Sequence, residues 1–154
     1  MQVDIVNFPQ TKVAVVEHKG PPQLEAQSIQ KLIDWRIENR MPPSDKHRNY
    51  GLHYNDSRTV APEEYRVDIC LSVEQDIAPN SYGLINKVIP ACRCAKARHL
   101  GSRDRVLAAD YLYETWLPAS GETAADRPVI FHYVNVGPGI EERDMITDVY
   151  LPLV

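Results

Sequence analysis

The chain has 154 residues and a formal net charge of −4; 44% of its residues are hydrophobic and 25% charged. That balance describes one ordinary globular domain, or two small halves sharing a core, with no signature of disorder. The acidic balance argues against nucleic acid as a direct partner, and no apolar run approaches the ~18 residues of a membrane span.

From the N-terminus, Val3 to Phe8 is short, apolar and β-branched, and Pro9-Gln10 breaks it, which predicts a strand and a tight turn. Lys12 to His18 contains four consecutive apolar residues, Val13 to Val16, as suits a strand covered on both faces. Gly20-Pro21-Pro22 opens a helix, because proline is tolerated in the first turn, where amide protons lack partners. Over Gln23 to Asn39 the positions Ala26, Ile29, Ile33 and Ile37 form an apolar stripe at helical spacing, predicted to face the core, and Pro42-Pro43 stops it. Asn49 to Tyr54 and Tyr65 to Val73 read as strands joined by a polar loop.

The order then repeats. Leu84 to Ile89 and Cys92 to His99 are strands about Pro90, and Ser102 is placed to cap a helix with Asp104 in its first turn. Val106, Ala109, Tyr113 and Trp116 are its expected buried stripe, and Pro118 to Gly121 end it. Val129 to Val136 and Ile146 to Leu153 complete the set. The repetition is visible residue by residue. Pro9, Lys12, Ala14, His18, Gly20 and Trp35 return 81 positions later as Pro90, Arg93, Ala95, His99, Gly101 and Trp116. The expectation is one α+β domain over 1–154, with repeat one at about 1–78 and repeat two at about 79–154. Its sheet is mostly antiparallel with two helices outside, and a duplicated half-domain of this kind places a central cleft at a pseudo-two-fold seam.

No phosphate loop, dinucleotide fingerprint, nucleophile elbow or helical zinc motif occurs, and no cluster has metal-ligand spacing, so neither cofactor nor metal is expected. Cys70, Cys92 and Cys94 make an odd count without a signal peptide at Met1 to Asp4, which points to a reduced, cytoplasmic protein. Cys92-x-Cys94 has neither zinc-knuckle nor thioredoxin spacing. His18 and His99, matched before the helix-entry glycines, read as scaffold. The local basic run Arg93, Lys96, Arg98, Arg103 and Arg105 reads as a solvated strand and helical turn. The aromatic residues carry more information. Phe131 and Tyr133 alternate on one strand, Asp148 and Tyr150 on another, and Asp68 matches Asp148 across the repeat. Two readings stand: an aromatic pair facing an Asp-Tyr pair lines a mostly apolar pocket, or these residues fill the sheet core and the aspartates pair locally.

Taken together these segments resemble the GyrI-like superfamily, the effector-binding domains of AraC-type and multidrug-sensing regulators with stand-alone gyrase-inhibitory relatives. The resemblance rests on His18-Lys19-Gly20-Pro21-Pro22, Tyr65 to Cys70, Trp116 to Glu122, Arg127-Pro128 before His132-Tyr133, and Thr147 to Pro152. It implies two strand–helix–strand–strand units with a ligand cleft between them. In drug-sensing members, aromatic rings and a strand glutamate receive lipophilic cations; the matching run Pro128 to Tyr133 puts Phe131 in the glutamate's place. A neutral or anionic planar compound therefore fits as well as a cation.

The resulting expectation is a cytoplasmic, stand-alone small-molecule-binding module with no helix-turn-helix segment. Its ligand is flat, largely apolar and possibly cationic, contacted by Tyr54, Asp68, Trp116, Phe131, Tyr133, Asp148 and Tyr150. No catalytic residue is assigned. The alternatives are a hydrolase of reactive small molecules, with Asp68, Asp148, Glu64 or His99 as acid or base, and a protein-binding role towards gyrase or a regulator.

Overall fold

The computed structural model describes residues 1–154, which form eight strands. In chain order these are β1 (Asp4–Phe8), β2 (Thr11–Lys19), β3 (Asn49–His53), β4 (Arg66–Ser72), β5 (Ile85–Ile89), β6 (Cys92–Leu100), β7 (Val129–Tyr133) and β8 (Ile146–Pro152). Helix α1 (Glu25–Glu38) lies between β2 and β3. A second helix between β6 and β7 runs through α2 (Leu107–Tyr111), a π-helical turn (Leu112–Trp116) and α3 (Leu117–Ser120). The strand pairs are antiparallel, and the α+β class holds.

The chain divides into two compact units, Thr11–Ile89 and Met1–Gln10 with Pro90–Val154. In the first, β4 pairs with β3 and β2, and β2 pairs with β5, Val15 standing opposite both Cys70 and Ile85. In the second, β6 pairs with β1 and β8, and β8 pairs with β7, Ala95 standing opposite both Ile5 and Leu151. Each sequence repeat thus gives its opening strand to the sheet of the other unit.

Helix α1 begins after a 3₁₀ turn at Pro22–Leu24 and buries Leu32 and Trp35 against Ala14, Val16, Leu71, Val73 and Leu84. The expected apolar stripe does not face that core. Ile29, Ile33 and Ile37 are 37%, 36% and 72% exposed. The packed face instead runs through Glu25, Ser28, Leu32 and Trp35, again at three- and four-residue spacing. Two of these are polar: Glu25 accepts from the Tyr65 hydroxyl, and Ser28 Oγ meets His18 Nδ1 at 2.8 Å. Hydrophobic periodicity cannot detect a face half made of hydrogen-bonded polar side chains. The bulk of Trp35 then decides which side of the helix is buried.

In the other unit, Ala108 and Leu112 are buried against Ala95, Ala97, Val129, Val149 and Leu151. Ser102 does not cap this helix; its Oγ accepts from the Asp104 amide at 3.2 Å within a local turn. His99 serves the helix start, its Nδ1 accepting from the Leu107 amide at 3.2 Å and its Nε2 donating to Ser102 O at 2.7 Å. His18 similarly contacts Gly20 O and Pro21 O at the other helix entry. Both histidines are scaffold.

The π-helical turn has a local cause. Pro118 has no amide to give Glu114, and its ring crowds that carbonyl in an α-helix. The wider turn ahead of it, closed by Leu117 N–H to Leu112 O, admits the ring. Gly121 then ends the helix at φ 76°, a left-handed conformation open to glycine. Tyr113, expected in the buried stripe, is 43% exposed.

Candidate functional site

Strand register decides which side chains share a face. In β7 and β8, Phe131 stands opposite Val149 and Tyr133 opposite Thr147, while His132 stands opposite Asp148 and Ile130 opposite Tyr150. Val149 lies in the core beneath the second helix, and Phe131 and Trp116 pack on that same core. Trp116, Phe131 and Tyr133 are therefore on the helix side of the sheet, and Asp148 and Tyr150 on the reverse. The aromatic pair and the Asp-Tyr pair do not face one another.

The helix side carries an aromatic face. Phe131 and Tyr133 meet edge to face with ring centroids 6.4 Å apart, and both are half-buried. Trp116 is half-buried at the end of the π-helical turn, and Tyr113 is exposed on it. π-Helical turns recur at functional sites. Beside these rings lies Arg103, its guanidinium carbon 5.2 Å from the Tyr133 centroid. Its Nε donates to Thr147 Oγ1 at 2.9 Å and its Nη2 to the Asn135 and Ile146 carbonyls at 2.9 and 2.8 Å. Burial lowers the Arg103 pKa.

On the reverse of that sheet Asp148, 3% exposed, accepts from Arg98 Nε at 2.7 Å and Nη2 at 3.0 Å, with Lys96 Nζ at 3.6 Å. Burial opposes its ionisation, but the Arg98 bonds and the charges of Lys96, Arg98 and His132 outweigh that and hold its pKa below the usual value. Tyr150 packs edge-on against Phe8 at 5.1 Å beneath Lys96.

The remaining two sequence-expected residues, Tyr54 and Asp68, lie together in the other unit. Ile69 and Leu71 of β4 pack toward α1, so Asp68 and Cys70 alternate to the opposite face. Asp68 is fully buried. Its Oδ2 accepts from Tyr54 OH and from Lys87 Nζ, each at 2.8 Å, and its Oδ1 has no partner. Lys87 also reaches Glu17 at 2.9 Å. Burial and the Asp68 bond push Tyr54 up to about 12. Burial brings His53 down to about 4.

These arrangements limit the chemistry the residues can do. Burial raises Cys70 and Cys94, so neither presents a ready thiolate. Both His99 nitrogens are engaged at the helix start, and both aspartates are held by cations. No group of three His, Cys, Asp or Glu side chains is placed to hold a metal ion. A recess of about 540 Å³ in the Thr11–Ile89 unit, lined by Trp35, Glu38, Met41, Val73 and Asp76 among others, contains none of the seven expected residues.

Sequence reasoning did not single out Tyr113 and Arg103 as site residues. Arg103 sat within a charge run, and that run divides once partners are assigned. Arg93 pairs with Glu122, Lys96 and Arg98 with Asp148, and Arg105 with Asp110, but Arg103 with no carboxylate. A sequence signal for it exists: 81 residues earlier the first repeat carries Pro22, so the two halves differ at this position.

No helix is long and apolar enough to cross a membrane. Comparison with known proteins agrees with the fold described. The chain is 39% identical over 154 residues to the probable transcriptional regulator YgiV of Escherichia coli K12, covering 99% of this chain and 96% of that one. It superposes on the crystal structure of the EcmrR C-terminal domain with a TM-score of 0.76 at 18% identity, covering 99% of this chain and 97% of that one. It also matches SAV2435, solved bound to tetraphenylphosphonium, with a TM-score of 0.65 at 10% identity, over 100% of this chain and 94% of that one. The model of the GyrI-like small molecule binding domain matches residues 1–154, and the chain belongs to that family.

Proposed function

We propose that this chain is a non-enzymatic, cytoplasmic sensor module that binds a flat, largely apolar compound on the aromatic face of Trp116, Phe131 and Tyr133, with Tyr113 at its margin. The observation that carries the reading is the set of rings left half-exposed beside the π-helical turn, where a regular core would enclose them. Aromatic side chains bury large area against a planar ligand at little cost in side-chain freedom. SAV2435, of the same fold, is known bound to tetraphenylphosphonium, and YgiV is a probable transcriptional regulator, which supports an effector-binding role.

Asp68 and Asp148, expected from the sequence to contact the ligand, are assigned to the framework in this reading. Their charges are matched by Lys87 and by Lys96 and Arg98, and Tyr54 and Tyr150 pack with those networks. The test is a thermal-shift screen of aromatic cations, neutrals and acids. Compounds that bind raise Tm, and Phe131→Ala abolishes the shift while leaving the protein folded. A panel without a single stabilising compound removes the reading.

A further inference from the structure

Arg103 is a charge without a counter-ion at the edge of the aromatic face. Its Nε and Nη2 donors go to neutral acceptors: Thr147 Oγ1, the Asn135 and Ile146 carbonyls, and Asn135 Oδ1 at 3.3 Å. The Nη1 donors have no protein partner. The residue is half-buried, and its four neighbours in the same basic run are all paired with carboxylates. A guanidinium stays charged at any ordinary pH, and a partly desolvated one gains most from a carboxylate that matches its planar donor edge.

The four bonds to β8 and to the segment after β7 fix Arg103 in place, and stacking on Tyr133 orients its plane. Tyr133 in turn meets Phe131. The fixed cation, Tyr133 and Phe131 thus form one continuous surface. An organic cation would meet a like charge there, and the Tyr133 face already has a cation over it. A neutral ring would leave Arg103 uncompensated.

We propose that the ligand is a planar aromatic carboxylate, its carboxylate paired with Arg103 and its ring lying against Phe131 and Trp116. This rests on the assignment of the aromatic face as the ligand site, and it names the chemical class bound there. Arg103 sets the charge preference, and the aromatic residues set the preference for a flat ring.

The test is calorimetric titration of the whole chain with 2-naphthoate, 2-naphthamide and 2-naphthyltrimethylammonium at low ionic strength. The carboxylate binds at least about tenfold more tightly than the amide, as a charge-assisted bond requires. Its affinity falls with added salt, while that of the amide holds. Arg103→Gln brings the carboxylate down to the level of the amide. The proposal is overturned if the amide or the ammonium probe binds the native protein as tightly as the carboxylate; that ranking needs no variant. Binding of all three with no charge preference leaves the aromatic site standing without its carboxylate, whereas binding of none removes both.

Discussion

Replacing Lys87 with Met tests the electrostatics of the Thr11–Ile89 unit. Asp68 is fully buried, and its charge is balanced by Lys87 Nζ at 2.8 Å on Oδ2; the other oxygen has no partner at all. In Lys87→Met the carboxylate keeps the Tyr54 hydroxyl but loses its cation. Breaking a buried pair from one side costs about 3–5 kcal/mol, because the remaining charge is left uncompensated in a medium that solvates it poorly. Lys87 is 26% exposed, which puts the expected loss near the lower figure, about 3 kcal/mol. For a chain of this length that corresponds to a fall in Tm on the order of 10 °C. Removing the charge as well, in Lys87→Met/Asp68→Asn, recovers most of the loss, since an amide is far cheaper to bury than an unpaired carboxylate. Urea denaturation of the wild type, both single variants and the double variant supplies the cycle. A Lys87→Met protein within about 0.5 kcal/mol of wild type, or a double variant no better than the single, would refute the reasoning.

Other expectations follow from packing and charge. Leu32→Ala should cost about 2–4 kcal/mol by leaving a cavity under α1, while Ile33→Ala, on the exposed stripe, should stay within about 0.5 kcal/mol; equal losses would restore the sequence-derived face. Asp148 has a folded pKa depressed below its ordinary 3.8, so its contribution is complete above that value and is lost as pH falls through the lower, folded value. Acid titration of Asp148→Asn should accordingly show a shallower loss of stability below about pH 4 than the wild type. Gly121→Ala, forced to hold φ 76°, should cost about 1 kcal/mol by urea denaturation, and no loss there would contradict the left-handed helix end.

Much of the architecture could be read from the 81-residue shift, because scaffold positions repeat for mechanical reasons. His18 and His99 both tie down a helix entry, and the strand and helix order follows from the paired apolar runs. The exchange of β1 and β5 between units left no trace, since a continuous repeat looks the same whichever sheet receives its first strand. The faces were harder still. Alternation shows that Phe131 and Tyr133 point one way and Asp148 and Tyr150 one way, but only register, with Phe131 opposite Val149, shows the two ways to be opposite. Tyr113, in the expected stripe, is exposed instead, and the polar anchors Glu25 and Ser28 hid the packed side of α1. Arg103 was legible only as a charge, because what distinguishes it is the absence of the partner its neighbours have.

The two tryptophans report on different places. Trp35 is buried under α1 and borders the 540 Å³ recess, and Trp116 belongs to the aromatic face. Tryptophan fluorescence of Trp35→Phe and Trp116→Phe proteins, titrated with an aromatic compound that raises Tm, therefore locates the ligand directly. Quenching that persists in Trp35→Phe and disappears in Trp116→Phe is the predicted result. Quenching that persists in Trp116→Phe and disappears in Trp35→Phe would place the ligand in the recess and contradict the assignment of the aromatic face.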